Sequence, residues 1–216
     1  MLNKLACMNV VPLPSKAIET VMVVSGLPRS GTSMLMRLLS MGGVQALTDN
    51  VRRPDSRNPQ GYFELEAVKE RGCYTGWIDQ AAGKAIKVIS RFLPRLPAIW
   101  RYQVLFIHRD IDTIIRSQQD LATHHSRSDW DEAIARRLKG IYLRHVGETL
   151  EWIDKRPNMR LHQLKYEDVL AAPDRVLESL CRFAAPFSLD ARRMVDGVDC
   201  GLNHAVIRIG GKTGLI

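Results

Sequence analysis

No apolar run in this 216-residue sequence approaches the length of a membrane-spanning helix. Only six residues precede Cys7, too few for an apolar export segment. Both absences lead us to expect a cytoplasmic protein. The four cysteines, Cys7, Cys73, Cys181 and Cys200, include no C-x-x-C pair. They read as reduced thiols rather than a disulfide framework. The spacing of Cys181, Cys200 and His204 matches no common zinc pattern, so no metal site is expected. Aromatic residues are scarce at 6%, and the basic residues are dispersed. That argues against base-stacking nucleic-acid platforms, and no nucleic-acid partner is expected. No internal repeat and no low-complexity segment is found.

What the sequence does have is an ordinary globular composition, 45% hydrophobic and 25% charged. At this length we expect one domain over residues 1–216. The formal net charge of +8 favours anionic partners without choosing among them.

Hydrophobic patterning predicts alternating strands and helices. "TVMVVS", Thr20 to Ser25, is a short apolar run rich in β-branched residues, hence a buried strand. Gly26 to Ser30 reads as a turn, and Gly31 to Met41 as a helix with apolar Met34, Leu35, Leu38 and Leu39 at helical spacing. Val44 to Pro59 is an irregular charged loop, and Tyr62 to Tyr74 reads as helical. Further strands are expected at Lys84 to Ser90, Tyr102 to Ile107 and Met159 to Leu164. Further helices are expected at Asp110 to Leu121, Asp129 to Lys155 and Pro173 to Ala184. In the longest helix Trp130, Ile134, Leu138, Ile141, His145 and Trp152 fall near one face. The segment from Phe187 onward is weakly patterned. This alternation predicts an α/β fold with a mostly parallel sheet and helices on both faces. Ligands in such folds bind at the carboxyl ends of the strands. The first strand therefore presents Gly26 to Thr32 at the ligand edge.

A nucleotide-triphosphatase loop reads G-x-x-x-x-G-K-S/T. Gly26 to Ser33 reads G-L-P-R-S-G-T-S, so the glycines are in place and Thr32 stands where the lysine belongs. Backbone amides of Ser30 to Ser33 at a helix start can still hold a phosphate. The cation has moved to Arg29. Such a loop suits a phosphate that is gripped but not transferred.

Four segments between Val21 and Pro173 resemble sulfotransferases that use 3′-phosphoadenylyl sulfate (PAPS). "GLPRSGTSMLMRLL" is similar to their 5′-phosphosulfate loop, and Arg29 matches the P-R-S-G-T-T form of tyrosylprotein sulfotransferases. The resemblance implies that Arg29, Ser30, Gly31, Thr32 and Ser33 hold the 5′-phosphosulfate. "FIHRDIDTIIRSQ", Phe106 to Gln118, resembles the 3′-phosphate element and implies that role for Arg109 and Ser117. Arg109 also suits an ion pair with Asp110 or Asp112 at a helix start. "IKVISRFLP", Ile86 to Pro94, is similar to the cytosolic enzymes' I-K-T-H-L-P, with Lys87 in the place of their catalytic lysine. "LKYEDVLAAP", Leu164 to Pro173, implies that Tyr166 lies near the adenine.

The same resemblance implies a P-loop-type three-layer sandwich and a sulfuryl transfer from PAPS, leaving adenosine 3′,5′-bisphosphate (PAP). One departure matters. The family's base histidine would fall at Ile89, which cannot carry a proton. A carboxylate is then the candidate base: Glu64 in "NPQGYFELE", Asn58 to Glu66, and after it Asp49 in "ALTDN". Either carboxylate could instead cap a helix or pair with Arg52, Arg53 or Arg57. His124 and His125 read as a solvated helix end. The family's C-terminal R-K-G segment has no clear counterpart, with Arg208 and Lys212 as the available cations. The acceptor, whether small molecule, carbohydrate, lipid or peptide, is not legible, nor is the oligomeric state. Its pocket is expected from Val44 to Tyr62 and Leu121 to Ser128. A small-molecule P-loop kinase and a non-catalytic nucleotide binder are the rival readings. Thr32 and the lack of a strand ending in a magnesium-binding Asp argue against the kinase.

Overall fold

The computed structural model describes residues 20–49, 51–55, 58, 61–69, 76–123 and 132–198. Four strands, β1 (Thr20–Gly26), β2 (Ala85–Lys87), β3 (Arg101–His108) and β4 (Met159–Lys165), form one sheet in the order β2-β1-β3-β4. Every pairing is parallel. The helices are α1 (Thr32–Met41), α2 (Ile111–Thr123), α3 (Glu132–Asp154), α4 (Tyr166–Ala171), α5 (Pro173–Phe183) and α6 (Ala191–Asp196). Short 3-10 turns cover Glu66–Val68, Asp79–Ala81 and Ser90–Arg95.

The period of two in the strands divides the core between the sheet's faces. Met22, Val24, Leu105 and Ile107 point to one side and pack with Leu35 and Leu39 of α1, Leu177 and Leu180 of α5 and Met194 of α6. Val21, Val23, Val104 and Phe106 point to the other and meet Ile153 of α3 and the 3-10 residues Phe92 and Leu93. Most of these side chains are fully buried, each worth about 1.5–3 kcal/mol relative to exposure. Strands apolar on both faces require cover on both, and the result is the expected three-layer α/β sandwich.

The chain leaves β1 toward β2 and leaves β3 toward β4, although β1 and β3 are neighbours. The sheet therefore changes winding direction between them, and the crevice outside their carboxyl ends is where such folds bind ligands. Register decides what stands there. Gly26 lies beside Ile107, and His108 beside Lys165. The next residues, Arg109 and Tyr166, leave the sheet side by side.

Several elements differ from expectation. The second strand stops at Lys87, because Ser90–Arg95 turns into 3-10 helix and Pro94 offers no amide to a ladder. Of Tyr62 to Tyr74, the described part is helical only over Glu66–Val68. Tyr166 opens a short helix not anticipated from the sequence, and α6 lies in the weakly patterned segment after Phe187. On α3 only the later part of the expected apolar stripe packs: His145 Nε2 and Ser90 Oγ lie 2.8 Å apart and Trp152 lies against the core. Ile134 and Ile141 are exposed, while Thr149 and Ile153 are buried. Residues 129–131, His124, His125, Arg208, Lys212, Cys7, Cys73 and Cys200 lie outside the described residues. No helix among the described residues is long and apolar enough to cross a membrane.

Candidate functional site

The turn after β1 is built by two glycines. Gly26 has φ 153°, and a Cβ there would lie 2.5 Å from Ser30 Oγ and 2.6 Å from the Ile107 carbonyl oxygen. Gly31 has φ 106° and forms the N-cap of α1, where a Cβ would lie 2.5 Å from Tyr166 Cδ2. Glycine is thus required for conformation and for space at both positions. Between them Arg29 adopts the left-handed region at φ 75°, and the Ser30 amide donates to the Leu27 carbonyl at 3.1 Å.

No side chain among the described residues caps α1, and no acidic residue lies in its first turn. Its leading amides therefore stay available, with the positive end of the helix dipole behind them. Ser30 Oγ is buried, with no hydrogen-bond partner among the described residues. Together these features make a cradle suited to holding an anion.

Arg109 and Ser117 both reach this loop. Arg109 Nη1 donates to the Arg29 carbonyl at 3.2 Å, and its guanidinium lies 4.2 Å from the centre of the Tyr166 ring. Its Nε is buried without a partner among the described residues. The alternative ion pairs do not form, since Asp112 binds Lys139 at 2.6 Å and Asp110 accepts from the Thr113 amide and hydroxyl. Arg29 Nε donates to Ser117 Oγ at 3.0 Å. Sequence reasoning missed the neighbour of Ser117. Gln118 Nε2 donates to the Pro28 carbonyl at 3.3 Å, and its Oε1 accepts from the Tyr142 hydroxyl at 2.6 Å. Gln118 lay inside the quoted segment, but nothing in a linear pattern ties it to Pro28.

Lys87 enters from the other side. It is nearly buried, and its Nζ donates to the Tyr62 carbonyl at 2.8 Å and to Ser33 Oγ at 3.0 Å. Glu64 Oε1 lies 3.8 Å away. Burial drives the lysine's pKa down to about 8, against a smaller upward pull from Glu64, while Arg52, Lys69 and Arg29 lower it further. For Glu64 burial pushes the carboxyl up, but the Lys69 hydrogen bond and the charges of Lys87, Lys69 and Arg52 carry it below its usual value. Arg52 and Lys69 hold its two oxygens at 3.0 and 2.7 Å.

Asp49 has a different setting. Its carboxylate accepts from the amides of Val51 at 3.0 Å and Glu66 at 2.6 Å. It therefore braces the loop and the 3-10 turn that begins at Glu66, which is the capping alternative left open by the sequence. Glu64, Lys87, Leu65, Val68, Lys69, Ile89 and Phe92 line a cleft beside the loop. Among the described residues no group of three or more His, Cys, Asp or Glu side chains is placed to hold a metal ion.

The sulfotransferase family model, Sulfotransfer_3, matches residues 65–185, more than half of the chain. The chain belongs to the sulfotransferase family. Solved structures of other sulfotransferases share its fold. A Mycobacterium avium sulfotransferase superimposes with a TM-score of 0.55 at 14% identity, over 83% of this chain and 68% of that one. A mouse sulfotransferase complexed with PAP gives 0.51 at 18% identity, over 84% of this chain and 63% of its own length. The sulfotransferase domain of a Synechococcus olefin synthase gives 0.50 at 15% identity, over 90% and 83%. At these identities the likeness establishes a shared architecture. No curated protein sequence matches the chain. The matched region of this sulfotransferase begins after the anion cradle, which therefore rests on its own geometry and on the shared fold.

Proposed function

We propose that this protein moves a sulfuryl group from PAPS to a hydroxyl or amine of an acceptor, as a single domain over residues 1–216 in the cytoplasm. The observation that carries this reading is the pair of buried polar atoms, Ser30 Oγ and Arg109 Nε, that find no partner among the described residues at one helix N-terminus left uncapped by them, in a sulfotransferase fold. Buried polar groups without partners are costly, and an anionic ligand would satisfy them. The mouse relative complexed with PAP supports the choice of nucleotide.

In this reading Arg29, Ser30, Gly31, Thr32 and Ser33 hold the 5′-phosphosulfate, Arg109 and Ser117 the 3′-phosphate, and Tyr166 one side of the adenosine. Bound there, PAPS supplies a sulfuryl group whose bond to the phosphate oxygen breaks as the acceptor oxygen or nitrogen bonds to sulfur. Lys87 stabilises the charge that grows on that oxygen, a task in which preorganised cations are most effective. A carbonyl and a hydroxyl hold the ammonium in place by hydrogen bonds, and the Glu64 carboxylate lies 3.8 Å from it.

Glu64 takes the acceptor proton. Its lowered pKa keeps it ionised near neutral pH, and it shares the cleft with Lys87. Asp49 is the less suitable base, because it braces backbone amides and is not among the residues that line the cleft with Lys87.

Calorimetry with PAP and ATP tests the reading. PAP should bind without magnesium and more tightly than ATP. Magnesium-dependent ATP binding of equal or greater strength would instead favour a kinase.

A further inference from the structure

Arg29 carries a strain on which the anion cradle depends. Its φ of 75° lies in the left-handed region, which residues with a side chain seldom adopt. Such a conformation persists only where the surroundings fix it. Two side chains do so here. Gln118 Nε2 donates to the Pro28 carbonyl at 3.3 Å, on the N-terminal side of Arg29. Arg109 Nη1 donates to the Arg29 carbonyl at 3.2 Å, on the C-terminal side. The peptide groups flanking Arg29 are therefore both anchored. With them is set the direction in which the following amides, from Ser30 to Ser33, point.

Gln118 is itself held. A carbonyl only accepts, so the Gln118 amide turns Nε2 to Pro28 and Oε1 the other way. The Tyr142 hydroxyl donates to that oxygen at 2.6 Å. Without the hydroxyl the amide would keep one anchor instead of two. Tyr142 stands on α3, and neighbouring turns of that helix are docked as well. Lys139 pairs with Asp112, in the first turn of α2, at 2.6 Å. His145 Nε2 lies 2.8 Å from Ser90 Oγ, three residues beyond Lys87. The spacing of 139, 142 and 145 puts all three on one face of the helix. α3 is thus a frame fixed to α2 and to the segment that carries Lys87, and it grips the loop through Tyr142 and Gln118.

We propose that Tyr142 and Gln118 are positioning residues for the phosphosulfate loop. The hydroxyl fixes the amide, and the amide fixes the peptide that leads into the left-handed turn at Arg29. The inference rests on the sulfuryl-transfer reading of the site and adds to it a support for the loop from α2 and α3. A loop held in its binding shape before the ligand arrives loses less freedom on binding, so the support acts on nucleotide affinity.

Tyr142→Phe, Gln118→Met and the double variant test this by two measurements on the full chain. PAP calorimetry should show affinity about threefold to tenfold lower in each single variant, the range for one hydrogen bond. The double variant should bind no more weakly than Gln118→Met alone, because the tyrosine acts through the amide. Hydrogen exchange without ligand should quicken in the segment Gly26 to Ser33 and stay unchanged along α2 and α3. This second readout separates support of the loop from support of helix packing, since looser packing would speed exchange in both helices. Unchanged PAP affinity in the single variants, additive losses in the double variant, unchanged loop exchange, or exchange that quickens across α2 and α3 alike would overturn the proposal. In each of those outcomes the parent protein still binds PAP and the sulfotransferase reading stands. Failure of the parent to bind PAP would overturn that reading, and this inference with it.

Discussion

Lys87 Nζ donates to Ser33 Oγ at 3.0 Å, which joins the end of β2 to the first turn of α1. The contact brings the ammonium to the edge of the anion cradle before any ligand is present. An electrostatic stabiliser already in position costs little reorganisation when charge develops. Lys87→Met should therefore lower sulfuryl transfer on the order of a hundredfold, in line with losing one such group. PAP affinity should change much less. Turnover and PAP calorimetry on one purified variant check this. A near-normal rate in the folded fraction would make Lys87 a structural ion-pair partner of Glu64 instead.

The lowered pKa of Lys87 has two consequences for pH. A lysine ionises near 10.5 when unfolded and near 8 here, so between those values the unfolded chain binds more protons than the folded one. Stability then rises with pH across that window, and the burial of the charged lysine costs about 3 kcal/mol below it. Lys87→Met should melt higher than the parent near neutral pH, and the difference should shrink as pH climbs through about 8 toward 10. Activity should move the opposite way. If charged Lys87 is required, kcat/KM falls above about pH 8, since that parameter reports the free enzyme. Thermal melts and a pH–rate profile measure both, and a melting difference independent of pH would refute the assignment.

Arg109→Ala should separate the two ends of the nucleotide. PAP affinity should drop about tenfold to a hundredfold, the range for losing a charge-assisted hydrogen bond. Adenosine 5′-phosphosulfate, which lacks the 3′-phosphate, should lose far less. Equal losses would mean that Arg109 acts through the Arg29 carbonyl and the shape of the loop rather than on the phosphate.

Gly31 and Tyr166 test the cradle by sterics. The alanine methyl of Gly31→Ala would stand 2.5 Å from the Tyr166 ring, at a φ of 106° that alanine seldom adopts. PAP binding should be lost, with a lower melting temperature. Adding Tyr166→Ala should restore part of the stability by relieving the clash. No recovery would place the whole cost in the backbone.

The two carboxylates should part company in mutants. Asp49→Asn weakens a cap on backbone amides and should cost about 0.5–2 kcal/mol of stability, with activity of the folded protein retained. Glu64→Gln should lower kcat, with PAP affinity preserved. The reverse pattern would make Asp49 the base.

Much of this was legible in the amino-acid order because the physics involved is local. The apolar β-branched run of Thr20 to Ser25, the glycines at positions 26 and 31 and the Pro at position 173 each act within a few residues of themselves. Strand, turn and helix boundaries near them followed to within a residue or two. The placement of Arg109 after a strand was equally local, and register did the rest by setting it beside Tyr166. Where local and long-range forces competed, the sequence pattern misled. The stripe of Ile134 and Ile141 on α3 has helical spacing, but the helix packs on the sheet through Thr149 and Ile153 near its other end.

The sequence by itself determined most of the elements, their alternation and the chemistry of the loop, since backbone conformation and hydrophobic period are properties of neighbouring residues. Only the tertiary structure decided which charges meet. It gave Glu64 to Arg52, Lys69 and Lys87, turned Asp49 to backbone amides and set Arg91 and Arg95 against Phe92. Charged side chains pair through space over a few ångströms, whatever their separation along the chain, so a list of residues names the candidates and folding selects the partners.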